Sequence, residues 1–219
     1  NQAQDRYEIN QVTGPDEWHE PVNNNLYTNY LARWNLRYVL SLLTAMKAEK
    51  TDAYRALVEK TGLTECEMET WREVQAKMYL PRKEGTKLLE QFEGYFELDN
   101  VTIEQYDEND WPVRPEALKT KKASETQITK QADVVMLLHL LSEEFDEETM
   151  KENYTYYEKR ALHGSSLSPS IFSVMGLKVG DDSKAYRYLR RAAFIDLLNM
   201  QGNTREGIHA ANTGGVWQT

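Results

Sequence analysis

The chain has 219 residues, 40% of them apolar, a net charge of −9 and a pI near 5.1. That length and apolar share suffice for one large core without an evident linker, and the acidity excludes a protein that grips nucleic acid through clustered lysine and arginine. The lone cysteine, Cys66, has no partner for an internal disulfide, which points to a reducing, cytoplasmic setting; the longest apolar run, VVMLL at 134–138, is far short of the roughly 20 residues that span a bilayer.

The first distinctive stretch is VTGPDEWHEPVNNN (12–25), which crowds Asp16, Glu17, Trp18, His19 and Glu20 together ahead of three asparagines. YTNYLARWNLRYVLSLLTAM (27–46) then sets Tyr27, Tyr30, Leu31, Trp34, Tyr38, Leu42 and Ala45 at three- and four-residue steps, the period of an amphipathic helix. Helices over 51–61 and 64–78 follow, the second opening with Thr64 and Glu67 at capping-box spacing, and Pro81 ends the helical run.

From Lys83 to Ser124 the helical period disappears. FEGYFELDNVTIEQYDENDWPVRPE reads as a long irregular excursion that can carry a short β-hairpin at its start. Its aromatics Phe92, Tyr95, Phe96, Tyr106 and Trp111 argue against disorder. Helical pattern resumes over 130–145, apolar on nearly every side, then over 148–159. It continues from Ser168 as N-cap with Pro169 in the first turn to Leu177, and over 183–199 with Tyr186, Leu189, Ala193 and Leu197 at helical steps. The connections LHGSSLS (162–168) and NTREGIHAANTGG (203–215) are short, polar and glycine-bearing. The predicted class is all-α, with the chemistry in the joints.

No GxGxxG, GxxxxGK[ST], HExxH, CxxC or GxSxG occurs, so Rossmann, P-loop, zinc and serine-hydrolase readings fall. No metal site is expected: His19 and Glu20 are adjacent on an extended segment and point to opposite sides. Carboxylates, aromatics and small polar joints remain. In sugar chemistry a carboxylic acid protonates the departing glycosidic oxygen while aromatic faces pack on the ring and polar side chains hold hydroxyls; Glu17, Trp18, Lys130 and Gln131 fit those tasks. The HGSS and TGG joints suit an oxyanion such as phosphate, through serine hydroxyls and glycine-flanked N–H groups at helix starts.

At these residues a family resemblance emerges. VTGPDEWHEPVNNNLYTN, FEGYFEL, ITKQADVVMLLHLL, YYEKRALHGSSLSPS and GNTREGIHAANTGGVWQ resemble, in the same order, the motifs of glycoside hydrolase family 65 disaccharide phosphorylases. The resemblance covers nearly all of the chain apart from the middle of the 97–123 excursion. It implies an (α/α)6 barrel with the active site in the mouth formed by the joints. It also implies inverting phosphorolysis of an α-glucosidic disaccharide or α-glucoside to β-glucose 1-phosphate, with inorganic phosphate as co-substrate and no cofactor. Carried onto this sequence, Glu17 is the general acid, Trp18, Lys130 and Gln131 bind sugar, and Ser165, Ser166, His209, Gly214 and Gly215 surround phosphate.

Phosphate is already an anionic nucleophile, so a phosphorylase needs no second carboxylate, which would repel it. To protonate a leaving group near neutral pH, Glu17 is expected to be buried beside Trp18 and crowded by Asp16, Glu20 or phosphate. Trp18 stands where the family pattern has tyrosine. The resemblance further implies that residues 1–219 are the C-terminal portion, about half, of the barrel. The family's N-terminal β-sandwich and first barrel helices are missing, so the chain is expected to be a fragment that needs the remainder of the barrel and has little activity alone. The full-length enzyme can form a homodimer; no nucleic-acid or membrane partner is expected. Two other readings stand beside this one: a hydrolase of trehalose or kojibiose using water and a further glutamate, and a non-catalytic helical module. The excursion over 107–127 is closer in style to kojibiose-, nigerose- or glucosylglycerol-type enzymes than to maltose phosphorylase.

Overall fold

The computed structural model describes residues 1–109 and 111–219. Among the described residues eight α-helices carry the fold: α1 (Leu26–Glu49), α2 (Thr51–Thr61), α3 (Glu65–Lys77), α4 (Val134–Leu140), α5 (Glu147–Glu158), α6 (Ser168–Lys178), α7 (Asp182–Phe194) and α8 (Ala210–Gln218). No sheet forms among the described residues. The expected hairpin reduces to single antiparallel bridges, Arg82 with Leu89 and Tyr106 with Pro112. The flanking prolines 81, 112 and 115 donate no N–H and limit any ladder. No helix among the described residues is long and apolar enough to cross a membrane.

Helix ends follow local chemistry. Asn25 caps α1 by accepting from the Thr28 N–H at 3.0 Å, and the Thr64–Glu67 capping box closes the start of α3. Ser168, expected as an N-cap, is instead the first residue of α6, behind Leu167. Its hydroxyl is used by tertiary partners, accepting from Ala132 N–H at 3.2 Å and lying 2.9 Å from His163 Nδ1.

The core centres on α4, whose Val134, Val135, Leu137 and Leu138 are all buried against Leu26, Tyr95, Tyr154, Phe172 and Met175. α6 packs on α7 at the close approach of Gly176 to Ala185, where a Cβ on the glycine would lie 3.1 Å from the alanine Cβ. Glu158, buried at the end of α5, ties that helix to α7 by accepting from Lys184 Nζ at 2.7 Å and Tyr188 Oη at 2.8 Å.

Three helical expectations shift. Residues 130–133 are not helical but bend into α4, with Thr129 paired to Ala161 and the Lys130 N–H donated to Asp16, and α4 ends at Leu140 ahead of a 3-10 turn over Ser142–Glu144. The row Tyr186, Leu189, Ala193 and Leu197 is not the buried face of α7, which is Ala185, Tyr188, Arg191 and Ala192. Tyr186 and Leu197 are 65% and 77% exposed, and α7 ends at Phe194. TGG lies inside α8 and not in a joint, as packing against α6 and α7 overrides the low helix propensity of glycine.

The excursion is ordered onto the body. Ile103, Leu118, Ile128 and Leu162 form a second apolar cluster, with Trp18, Val101, Tyr106 and Ala123 against it. Ile103 N–H donates to Lys159 C=O at 2.8 Å, and Arg160 donates to Asn100 Oδ1 at 2.6 Å.

Candidate active site

Three segments converge at one end of α4: the GPDEWH loop (14–19), residues 129–133, and the HGSS turn (163–166). Gly14 makes the first approach possible. A Cβ there would stand 2.3 Å from Asn25 Nδ2 and 2.8 Å from Asp133 Oδ2. Asn25 Nδ2 itself donates to Asp133 Oδ2 at 3.0 Å and to Gln91 C=O at 3.2 Å, so Asn25 is a buried strut.

Asp16 is the centre of this construction and is fully buried. Its Oδ1 accepts from the Lys130 N–H at 2.9 Å and the Trp18 N–H at 3.4 Å. Its Oδ2 accepts from Gln91 Nε2 at 3.0 Å and lies 2.6 Å from His19 Nδ1. On the far side of the imidazole, His19 Nε2 is 2.8 Å from Thr126 C=O. Burial alone would lower the His19 pKa, but the hydrogen bond and charge of Asp16 outweigh it and the net shift is upward. Asp133, also buried, is pushed up to about 7 by burial and by the charge of Asp16.

Glu17, next in sequence, projects the opposite way. Its side chain is 54% exposed and ion-pairs with Lys130 Nζ. The expected burial beside Trp18 is therefore corrected within this chain: Asp16 takes the buried position, and Glu17 faces open space with the lysine. Gln131 Nε2 donates to Pro15 C=O, which closes the same loop from the other side. Trp18 is half-buried. A Cβ on Gly164 would meet Lys130 Cγ at 3.3 Å and Trp18 Cζ2 at 3.6 Å, so the HGSS turn abuts both. Glu17, Trp18, Lys130, Gln131 and Gly164 thus form one contiguous surface.

The turn opens on a buried residue in a strained conformation. His163 sits in the left-handed region at φ 51°, with its ring against Phe172 and Tyr188, and burial drives its pKa well below the usual value. Ser165 is partly exposed, its Oγ accepting from Leu167 N–H at 3.4 Å, and Ser166 is buried.

His209 caps α8 from a different direction. Its N–H donates to Asp196 Oδ2 at 2.8 Å, its Nδ1 lies 2.5 Å from Asp196 Oδ1, and Asn203 approaches Nε2 at 3.3 Å. Gly214 and Gly215 lie within α8, where helical amides face carbonyls one turn back, so their reading as free N–H groups at a helix start is corrected. Gly215 has a packing reason: a Cβ would stand 2.5 Å from Ser170 Oγ on α6, four residues past Ser166. α8 is thereby docked on the helix that follows the HGSS turn.

The chain matches the family described as glycosyl hydrolase family 65 central catalytic domain over residues 1–218. This chain belongs to glycoside hydrolase family 65. It is 54% identical over 214 residues to a kojibiose phosphorylase of Thermoanaerobacter brockii and 55% identical over 214 residues to that of Caldanaerobacter subterraneus subsp. tengcongensis. Both alignments cover 98% of this chain and 28% of the relative. A solved structure of a candidate kojibiose phosphorylase from the human microbiome superposes with a TM-score of 0.81 at 33% identity, covering 99% of this chain and 28% of that one. The chain therefore spans little more than a quarter of the length of these relatives, and its helices form part of the (α/α)6 barrel of the family's catalytic domain.

The residues that sequence reasoning missed are Asp16, His19, Asn25, Gln91 and Asp133. Polar side chains packed beside a loop of glycine and proline were the available signal.

Proposed function

We propose that this chain supplies one wall of the active site of an inverting α-glucoside phosphorylase, with kojibiose the first substrate to examine. The observation that carries the reading is the single surface formed by Glu17, Trp18, Lys130, Gln131 and the HGSS turn, in a chain of this family whose relatives are named phosphorylases. Glu17 is the general acid that protonates the leaving oxygen. Trp18, Lys130 and Gln131 bind sugar. When a glucosyl unit occupies the site, its hydroxyls take Lys130 Nζ from Glu17, and enclosure by further barrel helices removes Glu17 from water, which favours the protonated carboxyl.

Phosphate attacks the anomeric carbon from the opposite face. Ser165, Ser166 and His209 are assigned to it, with Asp196 orienting His209. Gly215 lets α8 pack closely on α6 beside the HGSS turn. No carboxylate lies among the HGSS or TGG residues to activate water, which favours phosphate over hydrolysis. The exposed apolar side chains Leu197, Leu198, Ile208 and Trp217 support contact with the remainder of the barrel in a longer cytoplasmic protein, which can dimerise.

The test uses the full-length protein with kojibiose and inorganic phosphate, following glucose 1-phosphate and its anomeric configuration by NMR. Phosphate-dependent release of the β-anomer is expected. Glu17→Gln should lower kcat by about 10² to 10⁴ on kojibiose but far less on α-glucosyl fluoride, whose leaving group needs no proton. Release of free glucose without phosphate, or normal turnover by Glu17→Gln, would refute the reading.

A further inference from the structure

The buried group behind Glu17 is more than scaffold. Thr126 C=O can only accept, so His19 Nε2 carries a proton toward it across 2.8 Å. At 2.6 Å, the contact of Nδ1 with Asp16 Oδ2 then requires a second proton between them, because two facing lone pairs would repel. Asp16 and His19 therefore hold a proton that water cannot readily reach, both residues being buried. The same Asp16 carboxylate grips the Lys130 N–H through Oδ1, and Glu17 is its chain neighbour.

We propose that Asp16 and His19 are a proton-holding positioning pair that sets Glu17 and Lys130 in register, and that loss of the shared proton loosens this register. The proposal rests on the roles given to Glu17 and Lys130 above. The groups facing the imidazole are Asp16 on its own loop, Asp133 ahead of α4, the Thr126 carbonyl, and the rings of Phe92 and Tyr95 at 5.3 and 6.0 Å. Tyr95 stays neutral, as burial raises its phenol well above the ordinary value.

The direction of the pH effect follows. The His19 pKa is raised in the folded protein, so its stabilising contribution is complete below about 6.5, the unfolded value, and is lost as pH rises through the folded value. The pair thus contributes an alkaline limb to kcat that does not belong to Glu17.

Asp16→Asn tests this without emptying the site. The amide retains an oxygen for the Lys130 N–H, and its NH2 can donate to an unprotonated Nδ1 and to Gln91 Oε1, which is buried without a partner and reachable by an amide flip. No shared proton is then needed. In the full-length enzyme, Asp16→Asn should keep kcat near neutral pH within about tenfold of wild type and move the alkaline limb up by more than about one pH unit. Asp16→Ala should lower kcat about 100-fold with a smaller change in KM. Asp133→Asn should leave the limb within about half a unit. An unmoved limb in Asp16→Asn overturns the proposal, as does unchanged kcat in Asp16→Ala.

A second measurement is independent of turnover and of the folding of any variant at Asp16. The wild-type protein with 15N-labelled histidine should show His19, assigned by loss of its signal in His19→Gln, doubly protonated at pH 7, where a free imidazole is mostly neutral. A neutral His19 at that pH overturns the pair. An enzyme that phosphorolyses no α-glucoside but keeps a doubly protonated His19 would instead refute only the proposed function.

Discussion

The two walls proposed for the site are built on opposite plans. Around Asp16, polar groups from its own loop and from distant segments are buried together, with Asn25, Gln91, Lys130 N–H and His19 all converging on two carboxylates, Asp16 and Asp133. Around His209, the polar contacts are short-range, to Asp196 and Asn203, and the neighbouring apolar side chains are open, with Trp217 90% exposed. The difference teaches how each wall keeps its shape. The first is held by internal hydrogen bonds whose loss leaves buried groups unpaired; the second is held by the packing of α8 on α6 and α7 and has apolar surface left to cover.

The contrast breaks most severely at Gly14. Gly14→Ala drives a methyl into Asn25 and Asp133, neither of which can withdraw without losing partners, and should destabilise by about 3 kcal/mol. Denaturant unfolding of the full-length protein measures this. Asp133 sharpens the same wall through pH. Its folded pKa of about 7 lies above the ordinary value near 3.9, so the native state binds the extra proton and stability falls as pH rises between those values. Asp133→Asn should flatten that slope in a series of melting temperatures, and an unchanged slope would show that Asp133 does not titrate there.

On the second wall, Gly215→Ala gains helix propensity but collides with Ser170, and the net loss should be about 1 kcal/mol. Combining it with Ser170→Gly should recover most of that loss, since the clash is with a single side chain. Non-additivity in this double-mutant cycle checks the docking of α8 on α6. The smallest effect lies outside both walls. Thr64→Ala removes a cap on an exposed helix start and should lower stability by about 1 kcal/mol or less with kcat unchanged.

Legibility in the sequence divides along similar lines. α2 runs over the residues expected, and α3 differs by one residue at each end, because periodicity and the Thr64–Glu67 pair act within a few residues. α8 was hidden because two glycines in TGG argue locally against a helix that only α6 and α7 stabilise. The buried face of α7 is not legible from the row at helical steps, because Tyr186 and Leu197 are apolar without being covered in this chain, and hydrophobicity does not say which neighbour is present. Ser168 carried a familiar capping pattern but spends its hydroxyl on Ala132 and His163.

What the sequence alone determined was the all-α class and the family, since helical period and motif order are local properties of the chain. Tertiary structure alone decided which member of the Asp16–Glu17 pair is buried and which is presented. That choice depends on Gln91, Lys130 and Asp133, from 75 to 117 residues away, whose hydrogen bonds offset the desolvation of one carboxylate and leave the other facing Lys130.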